Sequence, residues 1–83
     1  MAYARINITY AGVNGDLVDL VDYDMNDLAI KAQVQESIVS GSVPGMAAQQ
    51  NVDLTDFVVD RFPATQDNPD NRIFVRPKTP FGQ

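Results

Sequence analysis

The fold is decided by the stretch DMNDLAIKAQVQESIVSG, residues 24–41, because its apolar residues recur with the period of an α-helix. Two adjoining apolar stripes run along this helix, one formed by Leu28, Ala32 and Val39 and the other by Ile30, Val34 and Ile38. Together the stripes predict a broad buried face. We therefore expect an amphipathic helix over residues 25–40.

Both ends of this helix carry sequence signals. Asp24 is predicted to cap the N-terminus, and Asp27, three residues later, gives a weak form of the capping box. Asp27 and Lys31 stand four residues apart, in the order that favours an ion pair along a helix. Gly41 can take the left-handed conformation that ends many helices, so the helix is predicted to stop there.

The residues before the helix alternate between two kinds of side chain. Within the first eleven residues, one parity carries Ala4, Ile6, Ile8 and Tyr10, and the other carries Tyr3, Arg5, Asn7 and Thr9. A period of two predicts a strand with one buried face. Asn14 and Gly15 can supply the positive φ angles of a tight turn, and residues 16–23 are predicted to return. The expected element is a β-hairpin over residues 3–23.

Two further strands are predicted after the helix, beyond the linker SVPGMAAQQ, residues 42–50. Residues 56–62 and 72–76 are rich in β-branched and aromatic side chains, which favour strands. Two prolines in residues 77–83, which we call the tail, predict that it lies outside any sheet ladder. Four aromatic residues are expected to fill the core beneath the helix, namely Tyr10, Phe57, Phe62 and Phe74.

The predicted order of elements is hairpin, helix, strand and strand. One helix on a mixed sheet is the natural two-layer arrangement for this order, an α+β fold with the layout ββαββ. If the last strand lies beside the first and parallel to it, the architecture is a β-grasp, the ubiquitin-like roll. A split βαβ sandwich would need a second full helix, which Pro and Gly in residues 44–56 oppose. We expect one β-grasp domain over residues 1–76, followed by the flexible tail, residues 77–83.

Composition excludes several classes of function. The chain has 83 residues, enough for one domain. It contains no cysteine, which excludes a cysteine nucleophile and a thiolate metal site, and no histidine, which removes the usual general base and the commonest metal ligand. Its net charge of −5 disfavours binding to nucleic acid. Its apolar runs are too short to cross a membrane, and its N-terminus lacks a signal-peptide pattern. We expect a cytoplasmic protein without cofactor that is not an enzyme and acts by being bound.

The charged residues allow two interpretations. Aspartates crowd residues 19–27, but their spacing matches no calcium loop, so a solvated acidic surface is expected and no metal site is predicted. Three arginines near the C-terminal strands either pair across strands with Asp56 or Asp60 or bind an acidic partner. These arginines are Arg61, Arg72 and Arg76.

The chain resembles bacterial ubiquitin-like proteins encoded in ubiquitination-like operons. The resemblance lies in the order of elements, the Asn14-Gly15 hairpin, the single long helix after Asp24 and the ending RIFVRPKTPFGQ, residues 72–83. Such proteins are similar in role to eukaryotic protein modifiers or to sulfur carriers. The resemblance implies three partners: an adenylating activating enzyme, a conjugating enzyme and a processing peptidase.

The resemblance places the reactive site in the tail, at Pro80, Phe81, Gly82 and Gln83. A glycine at the reacting carbonyl allows close approach in an enzyme channel. There is no Gly-Gly pair here, because Phe81 precedes Gly82 and Gln83 follows it. A peptidase removes Gln83, or the Gln83 carboxylate is itself used, or the tail is unreactive. Phe81 is predicted to anchor in a partner pocket or to fold back on the sheet.

The alternative function is that of a small acidic binding protein, of the kind that phages encode, which blocks the basic surface of a partner. The net charge of −5 favours the hypothesis of an acidic binding protein, although it is modest for a mimic of nucleic acid. In either case we expect a monomer or a weak oligomer. Arg72, Arg76 and Phe81 are the residues predicted to contact a partner.

Overall fold

The protein folds into two layers, a helix on a mixed sheet, in a computed structural model that describes residues 2–67 and 69–78. Within these residues the elements are β1 (Tyr3–Tyr10), β2 (Val13–Asp16), β3 (Val21–Asp22), α1 (Asp27–Val39), β4 (Phe57–Phe62) and β5 (Asn71–Pro77). The strands form one sheet in the order β2-β1-β5-β4, with β3 also paired to β1. The helix of the described residues is not long and apolar enough to cross a membrane.

β5 lies between β1 and β4, which makes it a central strand of the sheet. It runs parallel to β1, with Ile73 opposite Ile6, and antiparallel to β4, with Val75 opposite Val59. The parallel pairing is what distinguishes the predicted β-grasp layout from a simple meander. The α+β class and the β-grasp-like ββαββ arrangement are therefore confirmed, as are the strands predicted over residues 56–62 and 72–76.

The first hairpin turns three residues earlier than the sequence predicted. Tyr10 pairs with Val13, so the turn consists of Ala11 and Gly12. Their φ angles are 51° and 79°, the positive values that a two-residue hairpin turn requires. The predicted turn at Asn14-Gly15 is wrong, because both residues lie inside β2.

Contacts made by β2 explain this register. The Asn14 side-chain amide donates hydrogen bonds to Asn7 Oδ1 at 2.7 Å and to Thr9 Oγ1 at 2.9 Å. On the other face, the backbone at Gly15 lies so close to Val43 that an added Cβ would stand 2.8 Å from its Cγ1. These contacts outweigh the local turn preference of Asn-Gly, because a shift of register by one residue would move both to the wrong face.

The returning strand predicted over residues 16–23 is interrupted. Leu17 turns into the core, where it is 2% exposed, and its N–H donates to the carbonyl oxygen of Ile6 at 2.9 Å. The Arg5 guanidinium donates to the carbonyl oxygens of Leu17 and Val18 at 3.2 and 3.4 Å. These bonds hold the bulge that separates β2 from the two-residue strand β3.

α1 begins two residues later than the sequence predicted. Its N-cap is Asn26, whose Oδ1 accepts a hydrogen bond from the N–H of Ala29 at 2.8 Å. The predicted cap at Asp24 is wrong, because the chain there forms a turn in which the Asp24 N–H donates to Asp22 Oδ1. The predicted end is confirmed, since Gly41 follows the helix with a φ of 73°.

Half of the predicted apolar face of α1 is buried. Ile30, Val34 and Ile38 are fully buried, whereas Leu28 is 82% exposed and Ala32 and Val39 also face outward. Residues 42–56 supply other apolar side chains to the core. This segment, predicted in part as a simple linker, contributes four buried side chains, those of Val43, Met46, Val52 and Leu54.

Polar contacts join α1 to the elements around it. The predicted ion pair between Asp27 and Lys31 is wrong, since the Asp27 carboxylate lies 2.7 Å from Arg61 of β4. Arg61 also donates to the Met25 carbonyl oxygen at 2.7 Å, and Lys31 donates to that of Thr55 at 3.2 Å. The first turn of α1 is therefore held against β4 by Arg61, and is not stabilised by the predicted ion pair between two residues of the helix.

The tail differs from the prediction at its first residue. Pro77 is the last residue of β5 and stands opposite Phe57 of β4, so it belongs to the sheet. A proline is compatible with the end of a strand, where its missing N–H breaks no ladder. The predicted conjugation residues, Pro80, Phe81, Gly82 and Gln83, lie outside the described residues.

Candidate functional site: the open face of the sheet

The sheet has one face covered by α1 and another that we call the open face. The open face consists of the odd-numbered residues of β1 and the even-numbered residues of β2 to β5, because side chains alternate along strands and opposite residues share a face. Arg72 and Arg76, two of the predicted partner-contacting residues, lie together on this face.

Two aromatic rings occupy the open face on β4 and β5. Phe62 and Phe74 meet edge to face, with ring centroids 5.3 Å apart, and Phe62 is 52% exposed. Their predicted place beneath the helix is wrong, because both stand at even positions of their strands. Tyr10 and Phe57 do pack against the core, half-buried and stacked at 5.8 Å.

Arg72 has hydrogen-bonding capacity that its neighbours do not use. Its guanidinium lies 5.4 Å from the centroid of the Phe74 ring, and its Nη2 lies 3.5 Å from Asp16 Oδ1. Its Nε is buried and has no hydrogen-bond partner among the described residues. A buried donor without an acceptor is costly. The Arg72 side chain as a whole is 28% exposed, so a contact with another molecule would use its exposed atoms rather than Nε.

Arg76 is in the opposite situation. Its Nε and Nη2 both contact Asp60 Oδ2, at 2.9 and 2.7 Å, which confirms the predicted cross-strand pair for this arginine. The same prediction is wrong for Arg61, which binds Asp27, and for Arg72, whose neighbour is Asp16. Of the two arginines on β5, Arg76 is thus held by a carboxylate through two nitrogens, whereas Arg72 has only the longer contact with Asp16 as an ion pair among the described residues.

A polar border surrounds the rings on the side of β1 and β2. The Asn7 side-chain amide donates to Asp16 Oδ1 at 2.8 Å and to Asn14 Oδ1 at 3.1 Å. These side chains satisfy one another across the strands. The odd-numbered polar residues of β1 are the sequence signal for this surface, although their alternation predicts only that the other face of the strand is buried.

Two shallow grooves lie on either side of the aromatic pair. One, of about 460 Å³, is bordered by Asn7, Thr9, Asp60 and Arg76 as well as by both rings. The other, of about 370 Å³, is lined by Phe62, Phe74, Pro63, Thr65 and Arg72. Phe62 and Phe74 line both grooves and therefore lie between them.

Charge is divided unevenly between the open face and the remaining surface. The open face carries three arginines, Arg5, Arg72 and Arg76, and three aspartates, Asp16, Asp22 and Asp60. These charges cancel, so the whole net charge of −5 lies on the helix side and in the loops. The open face is therefore neutral in an acidic molecule.

The other carboxylates do not form a site. No group of three or more potential ligands in the described residues could hold a metal ion. Asp53 is a carboxylate with a shifted pKa. The Thr55 hydroxyl donates to Asp53 Oδ1 at 2.5 Å, and the Thr55 N–H donates to the same atom at 3.0 Å. These two bonds, the hydroxyl more than the N–H, hold the pKa of this exposed carboxyl below its usual value.

Comparison of the chain with family models, curated proteins and solved structures found no match. The open face is a candidate site on its own geometry. Aromatic side chains and arginine at the centre of a patch, with a polar border, are the usual composition of a protein–protein interface.

Proposed function

We propose that this protein is a ubiquitin-like modifier or carrier of the bacterial kind, which acts through its tail and is handled by partner enzymes. The observation that carries the proposal is the β-grasp-like layout, with β5 between β1 and β4 and leading directly into the tail. Binding function suits this chain better than catalysis, because it has no cysteine or histidine.

The base of the tail is firmly held, which supports this proposal. Pro77 stands opposite Phe57, and the Phe57 ring stacks on Tyr10. One residue earlier, the Arg76 side chain is fixed by Asp60. An enzyme that docks on the sheet would therefore meet Arg76 and Pro77 in a defined position, immediately before the rest of the tail in the sequence.

The chemistry proposed for the tail has four steps. A peptidase hydrolyses the bond between Gly82 and Gln83, which frees the Gly82 carboxylate. In the activating enzyme, a carboxylate oxygen attacks the α-phosphorus of ATP, and pyrophosphate leaves. A partner thiol then takes the acyl group and releases AMP, before an amine acceptor displaces the thiol. The thiol belongs to a partner, because this chain has none.

Intact-mass spectrometry after co-expression with the flanking genes tests the proposal. We expect loss of the Gln83 residue mass and the appearance of larger adducts. Gly82→Glu should abolish the adducts, because a side chain blocks close approach at the reacting carbonyl. Gln50→Glu adds the same charge at an exposed site outside the tail and should leave them in place. If deletion of residues 80–83 changes no partner interaction, the modifier proposal is wrong.

A second function is favoured by the charge distribution. Since all of the net charge of −5 lies off the open face, the helix side could cover the basic surface of another protein. Binding of that kind should weaken steeply as salt is raised and should survive deletion of residues 80–83. Retention of binding in the deleted chain therefore distinguishes this function from the modifier.

A further inference from the structure

The open face has the features of a surface that meets another protein. Phe74, in the middle of the central strand β5, and Phe62, at the end of the edge strand β4, form an edge-to-face ring pair on it, and Phe62 is 52% exposed. Arg72 keeps a buried Nε without an acceptor in the described residues. A ring pair and a partly dehydrated guanidinium on the sheet face opposite α1 are typical of a surface that another protein contacts.

Charge decides which partner fits this face. Two copies that met at any other surface would bring negative charge against negative charge, because all of the net charge lies there. The open face is neutral, and because it carries both arginines and aspartates, a second copy can place its arginines opposite the aspartates of the first. An acidic or a basic partner would find no net attraction there. A two-fold axis satisfies both copies at once, since each contributes the same patch.

We propose that the protein self-associates as a weak symmetric dimer through its open face. The Phe62 and Phe74 rings of the two copies pack against each other across the axis. Arg72 of each copy donates to carboxylate oxygens of the other, for which the face offers Asp16, Asp22 and Asp60. This inference is independent of the proposed function of the tail.

The small area of the face indicates that the dimer has a low affinity. Four strands about 4.8 Å apart and about six residues long, at about 3.3 Å each, cover roughly 400 Å². A standard stable interface buries about 800 Å² per partner, so this one belongs to the weak class. We expect half-association at sub-millimolar concentration.

Sedimentation equilibrium of the full chain, from about 10 μM to about 1 mM, tests the proposal across the range where such a complex forms. The average mass should rise from 9.1 kDa toward twice that value and no further. Over the same range, NMR shifts of backbone amides should change in β1, β4 and β5. Phe62→Ser should keep the protein monomeric, and Arg72→Gln should weaken association several-fold.

Leu28→Ser is the matched control, because Leu28 is a more exposed apolar residue, at 82%, on the outer side of α1. It should leave association unchanged. A monomer at every concentration, a dimer that survives Phe62→Ser, or masses beyond the dimer would each overturn the proposal. So would a full chain that stays monomeric while a chain ending at Lys78 dimerises, since residues 79–83 would then cover the face.

Discussion

The covered face and the open face are built from the same strands but have opposite chemistry. On the covered face, Ala4, Ile6, Ile8, Ile73 and Val75 are each no more than 1% exposed. On the open face, alternate residues of β1 and β5 are polar, charged or aromatic, and among the described residues no polar or charged side chain is buried as a whole.

Because of this difference, residues that stabilise the fold alternate along each strand with residues that a partner could contact. Burial of apolar side chains under α1 supplies most of the free energy of folding. The open face adds less to that free energy, because its charges are partly solvated and one of its two phenylalanine rings, that of Phe62, is 52% exposed. The effect of a substitution should therefore depend on which face a residue occupies more than on its place in the chain.

The largest expected effect comes from charging the layer that covers the sheet. Val34 of α1 is fully buried, so Val34→Asp places an unpaired carboxylate in the core. The cost of several kcal/mol approaches the whole stability of a small domain, and we expect the cooperative thermal transition seen by circular dichroism to disappear. Gln35→Asp, at the exposed neighbouring position, should keep it. A normal transition in Val34→Asp would contradict the covered face as described.

Adjacent residues of β5 give the most direct comparison of the faces. Ile73 is fully buried under α1, and Phe74 is half-buried on the open face. Ile73→Ala should lower the free energy of unfolding by about 2–5 kcal/mol, as for large-to-small changes in a core. Phe74→Ala should cost clearly less, although it removes a larger side chain. Urea denaturation measures both, and equal losses would remove the distinction between the faces.

A substitution where β2 closely approaches residues 42–56 should cause a smaller loss of stability. A Cβ added at Gly15 would lie 2.8 Å from Val43 Cγ1 and 3.2 Å from the Pro44 carbonyl oxygen. Gly15→Ala should therefore destabilise by about 1–3 kcal/mol through overpacking. In the double variant with Val43→Ala, the two losses should be less than additive, because the second change removes the atom that clashes. Full additivity would mean that the contact is not tight.

The strands and the topology could be predicted from sequence because they rest on periodicity. Alternation in β1 and the β-forming residues of β4 and β5 are local signals, and a single helix leaves few arrangements of the sheet. The parity of β1 also separated the two faces. The same parity rule, applied to Phe62 and Phe74, would have placed both rings on the open face.

The remaining features depend on contacts between distant segments. Asn14-Gly15 is a good local turn, but the packing of Gly15 against Val43 selects another register. Residues 42–56 show no period, so the burial of Met46 and Leu54 could not be read from them. In the register of β4 and β5, Asp60 stands opposite Phe74 and diagonal to both Arg72 and Arg76, and the local pattern of the sequence does not tell which arginine it binds; the structure pairs it with Arg76.

The N-cap of α1 tests one of these differences. Asn26→Ala should lower the free energy of unfolding by about 0.5–2 kcal/mol, because the N–H of Ala29 loses its acceptor. Asp24→Ala removes the cap that the sequence predicted and should change the stability by less than about 0.5 kcal/mol. Thermal or urea denaturation of the two variants, measured under the same conditions, compares their free energies of unfolding. The reverse order of effects would restore Asp24 as the cap.

The smallest expected effect belongs to the ion pair of the open face. Asp60 and Arg76 are joined at 2.7 Å, but their side chains are 37% and 52% exposed, and exposed pairs contribute at most about 1 kcal/mol. Asp60→Asn should therefore destabilise the fold by less than Asn26→Ala does. The difference from the parent should shrink between about 0.1 and 1 M salt, as screening weakens the attraction. Asp56→Asn, at an exposed aspartate outside any ion pair of the described residues, gives the baseline. If Asp60→Asn cost as much as Ile73→Ala, the open face would be part of the folding core, and its neutral charge would no longer be a feature available to a partner.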